Sequence, residues 1–105
     1  MSGDARRAWL EDAAALARFV AVVVEEGIPW ERIAEAVRAA APSWMDRLEA
    51  FDVFRGAQVP AGRKSVAFAM SFRREDRTLT REEVDGAIGA IVGRLGQELG
   101  ASLRS

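Results

Sequence analysis

Apolar residues recur along this 105-residue chain at two different periods, and the switches between the periods predict its elements. Residues 4–17 read as an alanine-rich helix, with Trp9, Ala13, Leu16 and Ala17 at helical spacing. From Phe19 the character changes. Val20, Val22, Val23 and Val24 form a β-branched cluster that favours a strand, closed by Glu25-Glu26-Gly27. A single helix over residues 4–24 is the competing reading. Pro29 suits the first position of a helix, because its missing N–H is an orphan there, and Trp30, Ile33, Val37 and Ala41 repeat behind it. Pro42 ends or re-starts that helix. Leu48–Phe54 reads as a strand, and residues 55–63, with Gly56, Pro60 and Gly62, read as a loop.

The segment 65–72 carries the clearest pattern. Val66, Phe68, Met70 and Phe72 occupy one parity and Ser65, Ala67, Ala69 and Ser71 the other. Successive strand residues point to opposite faces, so this strand packs one side into a core and leaves the other nearly flat. Thr80-Arg81-Glu82-Glu83 is a capping box, in which threonine and glutamate each satisfy an N–H at the helix start. The helix it opens bears Val84, Ile88, Ile91, Leu95 and Leu99 on one stripe and stops at Gly100. Residues 101–104 suffice for a last short strand. The order is therefore a leading helix, then βαββαβ. That is the ferredoxin-like α+β sandwich: a four-stranded antiparallel sheet with two helices on one face, here with an extra N-terminal helix.

Composition narrows the chemistry. The chain contains neither cysteine nor histidine, which removes disulfides, thiolate nucleophiles and the usual transition-metal ligands. No nucleophile–base pair, phosphate-cradling glycine loop or metal cluster is visible, so the chain is expected not to be an enzyme on its own, nor to need a cofactor or metal. The longest apolar run, residues 19–24, is too short to span a bilayer, and the N-terminus lacks a signal-like core, so a cytoplasmic protein is expected. The formal net charge is −1. Between Arg47 and Arg77, however, cations outnumber carboxylates by about three. Most are arginines, which suit planar recognition of phosphates and bases.

Several ordered motifs then become specific: Phe51-Asp52-Val53-Phe54-Arg55-Gly56; Val59 through Phe68; Arg77-Thr78-Leu79-Thr80 followed by Glu83-Val84; and Gly100-Ala101 with Leu103-Arg104. Together they resemble the ferredoxin-fold anticodon-binding domain that closes the bacterial phenylalanyl-tRNA synthetase β chain. The likeness is strong from about Arg47, weaker over residues 16–42, and without a counterpart in residues 1–15. It implies a domain over residues 16–105 preceded by a helical extension, 1–15. It also implies docking of the anticodon stem-loop of phenylalanine tRNA on the open sheet face. Its partners are then that tRNA and, for a fragment, other synthetase domains or subunits, with no membrane.

In that family an aspartate and an aromatic two residues on, beside a strand of small residues, contact the first anticodon base. The matching positions are Asp52, Phe54, Ser65 and Ala67. Parity agrees: with Phe51 and Val53 turned into the core, Asp52 and Phe54 face outward. A ring offers a base a stacking surface, and a carboxylate accepts from the amino and imino edge of guanine. Arg55, Arg63, Lys64, Arg73 and Arg74 are the candidate phosphate contacts. Each residue has a plainer alternative, since Asp52 could cap a turn or pair with Arg55.

Two positions depart from the family. Phe19 stands where an aspartate usually follows the arginine, and Phe54 where a tyrosine is usual. In the last helix Gly86, Gly89, Gly93 and Gly96 lie opposite the apolar stripe, either where nothing packs or where another backbone approaches. The tryptophans are expected to pack in or beside the core. The competing function is a free-standing protein–protein module that homodimerises through this fold without binding tRNA.

Overall fold

The structure, a computed structural model, describes residues 16–56 and 58–103. In chain order the elements are β1 (Leu16–Glu25), α1 (Trp30–Ala40), β2 (Met45–Phe54), β3 (Arg63–Phe72), α2 (Arg81–Leu99) and β4 (Ser102–Leu103). The strands form one antiparallel sheet in the order β2-β3-β1-β4. Both helices pack on the same side of it, giving the ferredoxin-like α+β fold that the sequence predicts. The expected helix over 4–17 and Trp9 fall almost wholly outside the described residues. Its last two positions are a correction: Leu16 and Ala17 belong to β1, paired with Phe72 and Ser71. A helix over 4–24 is excluded for the same reason.

The core follows strand parity. Val22, Val24, Val66, Phe68, Met70 and Phe72 from the sheet meet Ile33 and Val37 of α1 and Val84, Ile91 and Leu95 of α2, all fully or almost fully buried. Each such side chain contributes about 1.5–3 kcal/mol relative to exposure. Trp30 lies against Phe68 and Trp44 against Phe72, at ring-centroid distances of 5.6 and 5.5 Å. Both tryptophans therefore serve as core flanks, as expected.

Local chemistry sets the ends of the elements. Pro29 sits one position before its expected place, as the N-cap, and its carbonyl accepts from Arg32 and Ile33. At α2 the capping box is complete: Thr80 Oγ1 accepts from the Glu83 N–H at 3.2 Å, and Glu83 Oε2 accepts from the Thr80 N–H at 2.8 Å. Gly100 ends the helix in the left-handed region (φ 63°), so its own N–H reaches the Gly96 carbonyl and that of Ala101 reaches Leu95. Only glycine takes that conformation at no steric cost.

Candidate nucleic-acid interface

The register of the sheet arranges the side chains of the open face into rows, because directly paired residues project to the same side. Along the sheet the rows are Phe54–Ser65–Val23, then Asp52–Ala67–Ala21, then Glu49–Ala69–Phe19, then Arg47–Ser71–Ala17. The rows between them, such as Ala50–Phe68–Val20 and Leu48–Met70–Arg18, face the helices. Asp52 and Phe54 thus stand in neighbouring open-face rows, one beside Ala67 and one beside Ser65. The sheet register brings these four side by side.

The reason they share a face differs from the expected one. Phe51 does not turn into the core. A register shift between Ala50 and Asp52 leaves Phe51 as the extra residue of a β-bulge, so Phe51 and Asp52 together oppose Ala67. The Phe51 ring lies 5.8 Å from that of Phe19, which is on the open face opposite Ala69. Val53 does face the helix side, opposite Val66, yet it is 41% exposed at the end of an edge strand.

The floor of the face is not uniform. Ser65, Ala69 and Ser71 are buried, although their parity is that of the open side. Ala67 and Ala21, the row of Asp52, are only half-buried. On β3 the open face is therefore accessible at Ala67, which with Ala21 of β1 makes a shallow strip floored by two alanines. Phe54, 45% exposed, bounds one side and the Phe19–Phe51 pair the other, with the exposed Asp52 carboxylate at the rim. A flat aromatic ligand fits such a strip: methyl groups below, phenyl rings beside it, an acceptor at its edge. Asp52 Oδ1 accepts from the Val53 N–H at 2.9 Å, which fixes the carboxylate and occupies part of one oxygen. Pairing between Asp52 and Arg55 is not what forms. Arg55 instead makes a bidentate contact with Glu26, at 2.6 and 2.7 Å. That pairing holds Glu26 below the usual carboxylate range and raises Arg55.

The five cations separate into two groups. Arg55, Arg63 and Lys64 are at the Phe54 end of the sheet, whereas Arg73 and Arg74 follow β3 at the other end. There Ser43, Trp44, Met45, Asp46, Arg73 and Arg74 help to line an open cleft of about 440 Å³. From Met45 to Asp52 the strand runs about 23 Å at about 3.3 Å per residue. Lys64 pairs with Val24 on the helix side and is only 9% exposed, so it is not part of the open face. Its parity with Val66 is the signal that could have revealed this from sequence. Arg63 Nη1 donates to the carbonyl of Gly100 at 3.4 Å, and Arg74 makes a bidentate contact with Asp76 at 2.9 and 3.1 Å. Among the described residues no group of three or more acidic side chains is placed to hold a metal ion, and no helix is long and apolar enough to cross a membrane.

Comparison with known proteins adds the family. The model of the ferredoxin-fold anticodon binding domain matches residues 13–104. The phenylalanine–tRNA ligase beta subunit of Anaeromyxobacter dehalogenans is 44% identical over 90 residues, covering 86% of this chain and 11% of its own length. The corresponding subunit of Hahella chejuensis is 40% identical over 88 residues, covering 84% and 11%, and that of Streptomyces avermitilis is 41% identical over 86, covering 82% and 10%. This chain thus spans about a tenth of the length of the curated relatives it matches.

Proposed function

We propose a function from one premise: the chain belongs to the ferredoxin-fold anticodon-binding domain family. On that premise it is a non-catalytic RNA-binding module that docks the anticodon stem-loop of phenylalanine tRNA, in the cytoplasm, on behalf of a ligase active site carried by other domains or subunits. Residues 16–105 form the module, and residues 1–15 an extension to it. The observation that carries the reading is the half-exposed Ala21–Ala67 strip with Asp52 at its rim and Phe54 at its side.

In this reading a loop base lies on the alanine methyls and stacks against Phe54, a contact worth about 1–3 kcal/mol in comparable single-strand sites. The free lone pairs of Asp52 accept from the guanine amino and imino edge, which gives selectivity that stacking lacks. Ser65 is fully buried beneath this layer and shapes the floor without reaching the base. Arg63 and Arg73 supply the phosphate contacts, while Glu26 and Asp76 hold Arg55 and Arg74 back. Lys64 has no part in it.

Titration of the full chain with the phenylalanine tRNA anticodon stem-loop tests this. Phe54→Ala should weaken binding about 5- to 100-fold. Asp52→Ala should instead lower the preference for guanine over adenine at the first anticodon position. Equal affinity for an unrelated stem-loop, with neither substitution having an effect, sinks the proposal. It would favour the dimerisation alternative, for which the 56% exposure of Leu103 beside β1 is the supporting observation.

A further inference from the structure

The open face has a second apolar surface, to which the single-base reading gives no role. Phe19 stands in the row of Ala69, and the bulge of β2 brings Phe51 to it. Their ring planes are tilted by 52°, so the pair makes a ridge instead of a parallel stack, above an alanine that is wholly buried. Phe19 still keeps 37% of its surface exposed. One exposed ring on a protein surface is unremarkable, but here three phenylalanines, Phe19, Phe51 and Phe54, surround one strip and one carboxylate.

Spacing and polarity say what the ridge suits. Ala69 lies two residues from Ala67 on β3, which places the ridge about 6.6 Å from the strip where Asp52 stands. Such a step suits the next base of an extended strand. The charged member of that row, Glu49, is turned to Arg47 at 3.9 Å. Stacking on such ring surface tolerates any base, because every base has a π-face. Four-stranded sheets that present aromatic side chains on their open face stack two or three bases of single-stranded RNA in this way.

We infer that this face takes two successive unstacked RNA bases: one on the Ala21–Ala67 strip, read by Asp52, and its neighbour on the Phe19–Phe51 ridge, held by stacking without base preference. The inference rests on the RNA reading above and adds a second subsite to it.

Fluorescence anisotropy with the full chain separates the two. The probe is the phenylalanine tRNA anticodon stem-loop, intact or with a single abasic residue on either side of the guanine. For one of these positions the abasic RNA should bind about 5- to 100-fold more weakly, while exchanging that base for any other should change little. Phe19→Ala and Phe51→Ala should weaken the intact RNA to a similar degree and lose sensitivity to the abasic site. Phe19→Trp should retain both affinity and sensitivity, which guards against a variant that merely unfolds. If neither abasic position matters while Asp52→Ala and Phe54→Ala still impair binding, the ridge inference falls and the single-base reading stands. If the unmodified protein binds no stem-loop, both fall.

Discussion

Glu83 satisfies several donors at once. Its carboxylate accepts from the Thr80 N–H and hydroxyl, and from both Nη1 and Nη2 of Arg77. The Arg77 guanidinium, first, and the Thr80 backbone, second, pull its pKa from an ordinary 4.5 down to about 2. A depressed folded-state pKa contributes stability that is fully present above the unfolded value and is lost as pH falls through the folded one. Acid melting should therefore show a stability loss between about pH 4.5 and pH 2 that Glu83→Gln removes, with the variant less stable at neutral pH. An unchanged acid limb in the variant would mean the cap contributes no linkage.

The capping residues were legible because the motif is local. Asp52 and Phe54 were legible because no irregularity falls between them. Phe51 was not: the bulge is one extra residue, and neither glycine nor proline marks it. Phe19 was seen only as a departure from the family. That it makes a surface with Phe51 depends on two edges of β3 meeting across Ala69, a contact no linear pattern contains.

Helix α2 makes the balance of local and tertiary forces measurable. Gly86, Gly89 and Gly93 are exposed, and a Cβ built on any of them meets nothing within 4 Å. All three are helical, so alanine would reduce the entropy lost on folding without touching a neighbour. Each Gly→Ala change should stabilise the chain by about 0.5–1 kcal/mol, raising Tm by several degrees, with near-additive effects in the triple variant. Gly96, whose Cβ would come 3.5 Å from the Ala101 carbonyl, should gain less. Calorimetry of the single and triple variants decides it. Destabilisation by the triple variant, above all a concentration-dependent one, would show that this face is packed in solution.

Element ends were misjudged where pairing overrides propensity. Leu16 and Ala17 continue a helical period with Trp9 and Ala13, yet as a strand Leu16 pairs with Phe72 and packs partly buried against the core. Asp46 and Arg47 precede the expected strand start at Leu48, but with a second register shift between Met45 and Arg47 β2 begins at Met45. The interior of β3, with a neighbour on each side, matched its alternation throughout residues 65–72.

Charge is a property of the whole molecule here, and it limits how this protein can hold RNA. A net charge of −1 gives no general attraction, and among the described residues most arginines face carboxylates: Arg18 faces Asp85, Arg32 Glu35, Arg47 Glu49, Arg55 Glu26, Arg74 Asp76, Arg77 Glu83 and Arg94 Glu98. Exposed pairs of this kind contribute little to stability, about 0–1 kcal/mol each, but they lower the field that a phosphate backbone meets. Binding through rings and methyls with only about two phosphate contacts implies a shallow salt dependence. The slope of log K against log salt should be about −1.4 for a single-stranded loop, a loss of about sevenfold between 50 and 200 mM. Glu26→Gln removes the carboxylate that occupies Arg55, beside Phe54, and makes a third contact available. It should tighten binding at low salt and steepen the slope by about 0.7, whereas Glu98→Gln, on the outer part of α2, should change neither. A slope near −5 in the unmodified protein would mean that phosphates hold the RNA and the open face only positions it. An unaltered slope in Glu26→Gln would place the backbone away from the Phe54 end of the sheet, and with it the base that Phe54 is proposed to stack.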